Sequence, residues 1–453
     1  MVSIQAMLKE VLAKVTPTKS ELEKEKQVAE TLMNKINSIK GKHIGTELVG
    51  SISRNTHLRG DRDIDIFVFY PENLSRKEFE KEGLRIGKLA FKGHECWEEY
   101  SEHPYIKGII NGFEIEIVPS YKVKKASELK SAVDRSPFHK KFLEPRLKDS
   151  MKQDVRLLKA FLKGVDCYGA RIEKEGFSGY LTEIIILKYG SFDKTLKGIS
   201  EWKPGIALSL TGKGKSFDAP LTFIDPTDSN RNVAAALSEE QFARVVAAAR
   251  AFLEKPGKNF FYPTRKSSIS KKHMKKLIAV DQTFALRMPF PGKALSDVIW
   301  GQMRRFRKLL RKELECSSFN VRRISLFAEE GNGIDYFVEL EQLRLNDTVI
   351  CIGPHAWDKT NSEAFAAKHK RALTGPRIEN DRWVVEEKRR QVDSFKLAKE
   401  FVNKRKKIEK KPFSKALAGT KFLEKKEFLK TAKRDKFFNF SLSKFLEGKE
   451  SFL

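Results

Sequence analysis

Apolar residues recur at two different periods along this chain, and the changes of period mark out its elements. Val28, Leu32, Ile36 and Ile39 stand three or four residues apart between Pro17 and Gly41, which predicts an amphipathic helix ended by the glycine. From Ile44 to Tyr121 the period falls to two, predicting strands over 44–49, 64–69 and 113–118 with Gly and Pro turns between them. Past Pro145 helical spacing returns over 155–163, 180–189 and 242–253. Ser238 and Gln241 announce the last of these in capping-box spacing, and Pro256-Gly257 follows it. Phe284, Leu286 and Met288 then alternate as a strand, 298–314 reads as a helix, and 321–327 as a strand. Gly331-Asn332-Gly333 turns into a further strand over 335–343.

This order predicts a multidomain α+β protein. Residues 1–146 form a mixed α/β domain and 147–260 a mainly helical one. Residues 261–392 form an α/β domain whose β-α-β-β order is that of a ferredoxin-like sheet, able to present a surface to RNA. Residues 393–453, dominated by Lys and Phe and containing Lys404-Arg405-Lys406-Lys407, read as a basic tail. Its Phe428, Phe437, Phe438 and Phe445 suit an amphipathic helix packed on the body more than a base-stacking platform. A chain of 453 residues accords with about three domains at roughly 150 residues each.

The longest apolar runs fall far short of the roughly 20 residues a membrane span needs, and the N-terminus has no uninterrupted apolar stretch of the signal-peptide kind. Cys96, Cys167, Cys316 and Cys351 are scattered without a C-x-x-C pair, which argues against a zinc site or a disulfide framework. The expectation is a cytoplasmic protein with no membrane segment, and any catalytic metal should be bound by oxygen. Charge narrows the partner. Lys and Arg total 88 against 60 Asp and Glu, a net charge of +28, spread along the whole chain. Such a spread favours a long polyanion, RNA or DNA, over a membrane surface or an acidic protein.

The chemistry concentrates between Gly50 and Phe69. Asp63-Ile64-Asp65 opens an apolar strand, so alternation puts both aspartates on one side and Ile64 and Ile66 in a core. Spaced roughly 6.5 to 7 Å along the strand, the two carboxylates can reach a pair of divalent ions about 3.5 to 4 Å apart. Glu114 and Glu116 alternate in the same way on the strand 113–118, and pairing of the two strands would complete a three-carboxylate site. Hard oxygen ligands favour Mg²⁺ or Mn²⁺, and phosphoryl or nucleotidyl transfer is the natural reaction. Upstream, Gly50 lets the backbone approach a phosphate, Ser51 offers a hydroxyl and Arg54 a charged donor. A D-x-D pattern alone also occurs on solvated strands; the Gly-Ser turn just before it is what strengthens the functional reading.

The run Val49-Gly50-Ser51-Ile52-Ser53-Arg54-Asn55-Thr56 followed by Asp63-Ile64-Asp65 resembles the signature of the archaeal-type, class I CCA-adding enzymes, the tRNA nucleotidyltransferases. The resemblance continues in order through Glu102-His103-Pro104-Tyr105, Asp134-Arg135-Ser136-Pro137-Phe138-His139 and Arg156-Leu157-Leu158-Lys159. Gly176-Phe177-Ser178-Gly179-Tyr180-Leu181, Asp225-Pro226, Arg231-Asn232-Val233-Ala234, Gly353-Pro354, Ile378-Glu379-Asn380 and Arg382-Trp383 extend it, so that it covers roughly residues 30 to 390.

The resemblance implies a polymerase beta-like nucleotidyltransferase head that adds C, C and A to tRNA 3′ ends from CTP and ATP without a template, and repairs incomplete ends. It implies two Mg²⁺ ions, or Mn²⁺, at Asp63, Asp65 and Glu116. Gly50, Ser51, Arg54, Lys159 and Tyr168 would hold the triphosphate, Arg231 would read the base edge, and His139 would lie near the nucleotide. The partner would be the acceptor and T arms of tRNA, with a homodimer as one open assembly. From the residues alone, Lys159 also suits a solvated helix face, Arg231 a loop charge, and His103 and His139 packing or capping. One position departs from the pattern: Glu116 stands where the family usually carries Asp. Its extra methylene can shift a ligand oxygen by about an ångström, a displacement that can cost roughly 10²-fold in rate. Two other functions compete, a poly(A) polymerase-like terminal transferase and a catalytically silent RNA-binding protein.

Overall fold

A capping box starts the first predicted helix: Glu21 N donates to Thr18 Oγ1 at 3.2 Å, and Thr18 N donates to Glu21 Oε2 at 2.7 Å. The computed structural model describes residues 4–212, 214–262, 271–280, 282–292, 296–450 and 452. It divides into two units, residues 1–265 with 450–453, and residues 266–449.

The first unit begins with α1 (Ile4–Val15), α2 (Lys19–Ser38), β1 (Gly45–Val49), α3 (Gly50–Ser53), β2 (Asp63–Tyr70), α4 (Arg76–Ala90), β3 (Cys96–Tyr100), β4 (Pro104–Ile110) and β5 (Phe113–Tyr121). Its sheet has the order β1-β2-β5-β4-β3 and is mixed, since β2 and β5 run parallel while the other neighbours are antiparallel. Alternation sorts the sheet's faces as the sequence predicts. Ile64, Ile66, Ile115 and Ile117 are buried on one face beneath Leu32 and Ile36 of α2 and Phe79 and Ile86 of α4. The opposite face carries Asp63, Asp65, Glu114 and Glu116.

A second core in this unit is helical: α5 (Ser136–Leu143), α6 (Asp149–Gly164), α7 (Gly179–Tyr189), α8 (Phe192–Ser200) and α9 (Glu239–Glu254), with a small sheet of β6 (Ile206–Leu208), β7 (Leu221–Asp225) and β8 (Asp228–Asn232). Met7 and Val11 of α1 are buried in this second core, so the N-terminal helix packs with the helical region instead of the mixed sheet.

The second unit contains α10 (Lys271–Val280), β9 (Thr283–Met288), α11 (Ser296–Cys316), β10 (Val321–Glu329), β11 (Gly333–Leu340), β12 (Thr348–His355), α12 (Lys359–Lys368), β13 (Thr374–Glu379) and β14 (Arg382–Lys388). It continues with α13 (Ser394–Ile408), α14 (Phe413–Ala418), β15 (Lys421–Glu424), α15 (Lys425–Arg434) and α16 (Lys436–Glu447). The stretch expected as a basic tail, 393–453, is folded. β15 pairs with β9, giving the sheet order β10-β11-β9-β15, so this stretch supplies the last helix and last strand of a ferredoxin-like sheet. Its lysines lie outward while Phe428, Phe438 and Phe445 are buried against Phe337, as amphipathic packing requires. Among the described residues no helix is long and apolar enough to cross a membrane.

Candidate active site

Strand register lines up the carboxylates. Asp63 lies opposite Glu114 and Asp65 opposite Glu116 across the parallel β2–β5 pair, so all four side chains share the face left open by the helices. A cavity of about 260 Å³ opens there, lined among others by Gly50, Asp65, Tyr105 and Glu116. Burial, and after it the charges of Glu116 and Asp63, push the Asp65 carboxyl up to about 7. Burial also raises Asp63, with Glu114 and Asp61 adding to it against Lys107.

The side chains do not, however, converge on one point. Lys107 on β4 lies opposite Glu116, its Nζ 3.2 Å from Glu116 Oε1 and 2.8 Å from Glu114 Oε2. Among the described residues no group of three His, Cys, Asp or Glu side chains stands close enough to share an ion as it is. The hard-oxygen donor set and the mutual repulsion that raises Asp65 nonetheless suit a divalent cation.

Gly50 begins the turn behind Asp65. Its φ is +74°, and a Cβ there would stand 2.0 Å from Asp65 Oδ2, so only glycine is accommodated. Arg54, four residues on, is engaged inside the protein: its Nη2 reaches Glu183 Oε2 of α7 at 2.9 Å, and its Nε reaches both Glu183 oxygens at 3.1 and 3.2 Å. Thr56 Oγ1 donates to the same carboxylate. Burial opposes the charge on Glu183, yet Arg54 and then Lys159 hold its pKa below the usual value.

Lys159 is fully buried on α6 and donates to Thr56 O at 2.9 Å. It is therefore no solvated helix lysine, and burial brings it down to about 8 against the pull of Glu183. A Cβ at Gly179 would lie 3.2 Å from the Tyr168 hydroxyl and 3.8 Å from Lys159 Nζ, so these two groups meet at the start of α7.

A second polar cluster gathers on Asp225, whose side chain is entirely buried. Its Oδ2 accepts from Arg231 Nη1 at 2.7 Å and lies 2.8 Å from His139 Nε2. Its Oδ1 accepts from Thr227 N at 2.9 Å and Thr227 Oγ1 at 2.7 Å. Burial would raise this carboxyl, but His139 and Thr227 keep it well below its ordinary value. The His139 ring stacks on Tyr180 at 3.8 Å, and burial lowers its pKa against Asp225. His103 is buried, meets Phe79 edge-on at 5.1 Å and also lines the cavity beside Asp65 and Glu116.

Asp225, Glu183 and Lys107 were not singled out from the sequence as site residues. The first two sit in segments buried on every side, where no period marks a special position. Lys107 did have a signal: Asn111-Gly112 is a two-residue hairpin turn with both φ positive, +53° and +78°, and it sets Lys107 directly across from Glu116.

A mixed sheet with carboxylates in register on its open face, entered through a glycine turn, defines a nucleotidyltransferase head. Residues 31–139 match the family model described as a nucleotidyltransferase domain, 153–262 that of the tRNA nucleotidyltransferase second domain, and 280–427 that of the CCA-adding enzyme C-terminal domain. The chain is 36% identical over 395 residues to the CCA-adding enzyme of Pyrobaculum neutrophilum, covering 86% of this chain and 92% of that one. It is 35% identical over 393 residues to that of Methanocaldococcus jannaschii, covering 81% and 84%. With the Methanothermobacter thermautotrophicus enzyme it shares 32% over 401 residues and 87% of each chain. This chain belongs to the CCA-adding enzyme family.

Proposed function

We propose that this protein adds C, C and A to the 3′ end of tRNA from CTP and ATP, without a nucleic-acid template, and repairs incomplete CCA ends in the cytoplasm. The observation that carries the reading is the register of Asp65 with Glu116 beside the Gly50 turn, in a chain of this family. Asp63, Asp65 and Glu116 would hold two Mg²⁺ ions, with Mn²⁺ able to replace them. Bound there, the ions supply activation of the attacking hydroxyl and charge stabilisation for the departing pyrophosphate.

The chain's own groups do the rest. The Gly50-Ser51 turn would meet the triphosphate beside Asp65, whose carboxylate fills the space a side chain at Gly50 would take, with Arg54, Lys159 and Tyr168 as its further partners. Glu183 holds Arg54 in place. Arg231 reads the base edge with His139 nearby, both oriented by Asp225. We assign residues 1–146 to the transfer chemistry, the helical region after them to the nucleotide, and the second unit to the acceptor and T arms of tRNA. Binding there should use mainly phosphate contacts and helix shape, since every tRNA must be accepted.

The test is single-nucleotide extension of a tRNA trimmed of its CCA. CTP alone should add two residues and stop, and ATP should then add one. Unlimited addition of A would instead indicate a poly(A) polymerase-like enzyme. Tight tRNA binding with no pyrophosphate release in Mg²⁺ would indicate a silent RNA-binding protein.

A further inference from the structure

Across the five-stranded sheet one row of paired residues runs Val49, Asp65, Glu116, Lys107, Trp97. Residues paired in this way project from the same face, so a cation is placed beside the carboxylates by backbone register and not by chance of side-chain sprawl. The Asn111-Gly112 turn locks that register, because a slip of one residue would move Lys107 to the opposite face. The ammonium bridges two acids, Glu114 at 2.8 Å and Glu116 at 3.2 Å, and the Lys107 side chain is only 13% exposed. An ordinary surface ion pair involves two solvated, mobile chains; this lysine is enclosed against the row it neutralises.

We propose that Lys107 is a tethered counter-cation: its ammonium neutralises Glu116 while no divalent ion is bound, and ion and ammonium compete for that carboxylate. The inference rests on reading Asp63, Asp65 and Glu116 as the metal-holding set. Its geometric basis is the 3.2 Å contact that ties Glu116 Oε1 to the Lys107 ammonium on the neighbouring strand. It also gives Lys107 a positioning role, because the ammonium fixes the side from which Glu116 must turn when the site fills.

Calorimetric titration of the nucleotide-free, full-length protein with Mn²⁺ tests this. Lys107→Met should bind Mn²⁺ at least about fivefold tighter, the upper end of the scale of a solvated ion pair, which this enclosed one should reach or exceed. Mn²⁺ should also raise its melting temperature more than that of the native protein. Lys107→Arg, which keeps the charge, should stay close to native. An affinity for Lys107→Met equal to or weaker than native overturns the proposal. Should that variant fail to fold, Lys107→Met combined with Glu114→Gln leaves the net charge of the cluster unchanged and must bind Mn²⁺ more tightly than Glu114→Gln alone. Asp65→Asn separates the two readings. Its loss of Mn²⁺ binding beside an unchanged Lys107→Met would defeat the counter-cation alone, whereas native-like Mn²⁺ binding by Asp65→Asn would defeat the metal-site reading beneath it.

Discussion

Arg231 reaches Asp225 at 2.7 Å, and the oxygen it meets is the one that also lies 2.8 Å from His139. One buried carboxylate thus fixes the direction of two groups proposed to face the incoming nucleotide. The Arg231 side chain remains 34% exposed, so its outer part is free to turn unless Asp225 holds it. Hydrogen bonds to charged groups contribute about 1.5 to 3 kcal/mol. Asp225→Asn is therefore expected to raise the KM for both CTP and ATP by roughly tenfold or more, with a smaller change in kcat and unaltered tRNA affinity. Steady-state kinetics on trimmed tRNA measures this split. A fall in kcat and melting temperature with KM unchanged would give Asp225 a purely structural role.

Gly50→Ala should be severe for two separate reasons. The backbone there has φ of +74°, which costs a non-glycine residue about 1 to 3 kcal/mol. In addition, the new methyl would stand 2.0 Å from Asp65 Oδ2, so either the turn or the carboxylate must move. Displacement on that scale costs about 10²-fold in rate. The expected result is a modestly lowered melting temperature together with a loss of nucleotide incorporation far larger than the stability change explains.

The open-face carboxylates were legible in the sequence because Ile64 and Ile66 alternate with Asp63 and Asp65, and a half-buried strand has no other way to arrange them. The same logic could not choose for Lys159 between a triphosphate partner and a solvated helix face. Its helix is buried continuously from Val155 to Leu162, so no 3.6-residue period separates a buried face from a solvated one, and the alternative of a solvated Lys159 is removed only by the structure, which buries it. Glu183 was hidden for the same reason within Leu181 to Ile186. β15 was missed because it has only four residues, Lys421–Glu424, and its partner β9 lies far back in the chain. Long-range pairing of so short a strand leaves no local trace, and the surrounding lysines suggested a tail.

Glu183 joins the two cores of the first unit through Arg54 and Thr56. Removing one partner of a buried pair leaves the other charge without compensation, at a cost of about 3 to 5 kcal/mol. Glu183→Gln should lower the melting temperature and weaken nucleotide binding together, because Arg54 loses its anchor. The double variant Arg54→Met with Glu183→Leu should regain only part of the stability, since it removes the Arg54 charge together with its partner but leaves buried Lys159 without the Glu183 carboxylate, and it should regain none of the activity. Thermal denaturation alongside the extension assay distinguishes the two effects.

In the second unit, Asp335 of β11 is fully buried opposite Arg287 of β9, 2.6 Å from its Nη1. Burial outweighs the arginine and raises the carboxyl from 3.8 to about 6. The sign of the consequence follows from linkage: a group whose pKa is higher in the folded state stabilises fully below its unfolded pKa and loses that contribution as pH rises through the folded value. Between about pH 4 and pH 6 the native protein therefore gives up stability through this residue. The gap of about 2 units corresponds to at most about 3 kcal/mol. Asp335→Asn, a neutral stand-in for the protonated acid, should be close to native in stability near pH 4 and pull ahead as pH approaches 7. Denaturant midpoints for both proteins across that range test it, because their difference cancels the titration of every other carboxylate. A constant difference would mean that Arg287 keeps Asp335 ionised throughout, with the ion pair outweighing burial.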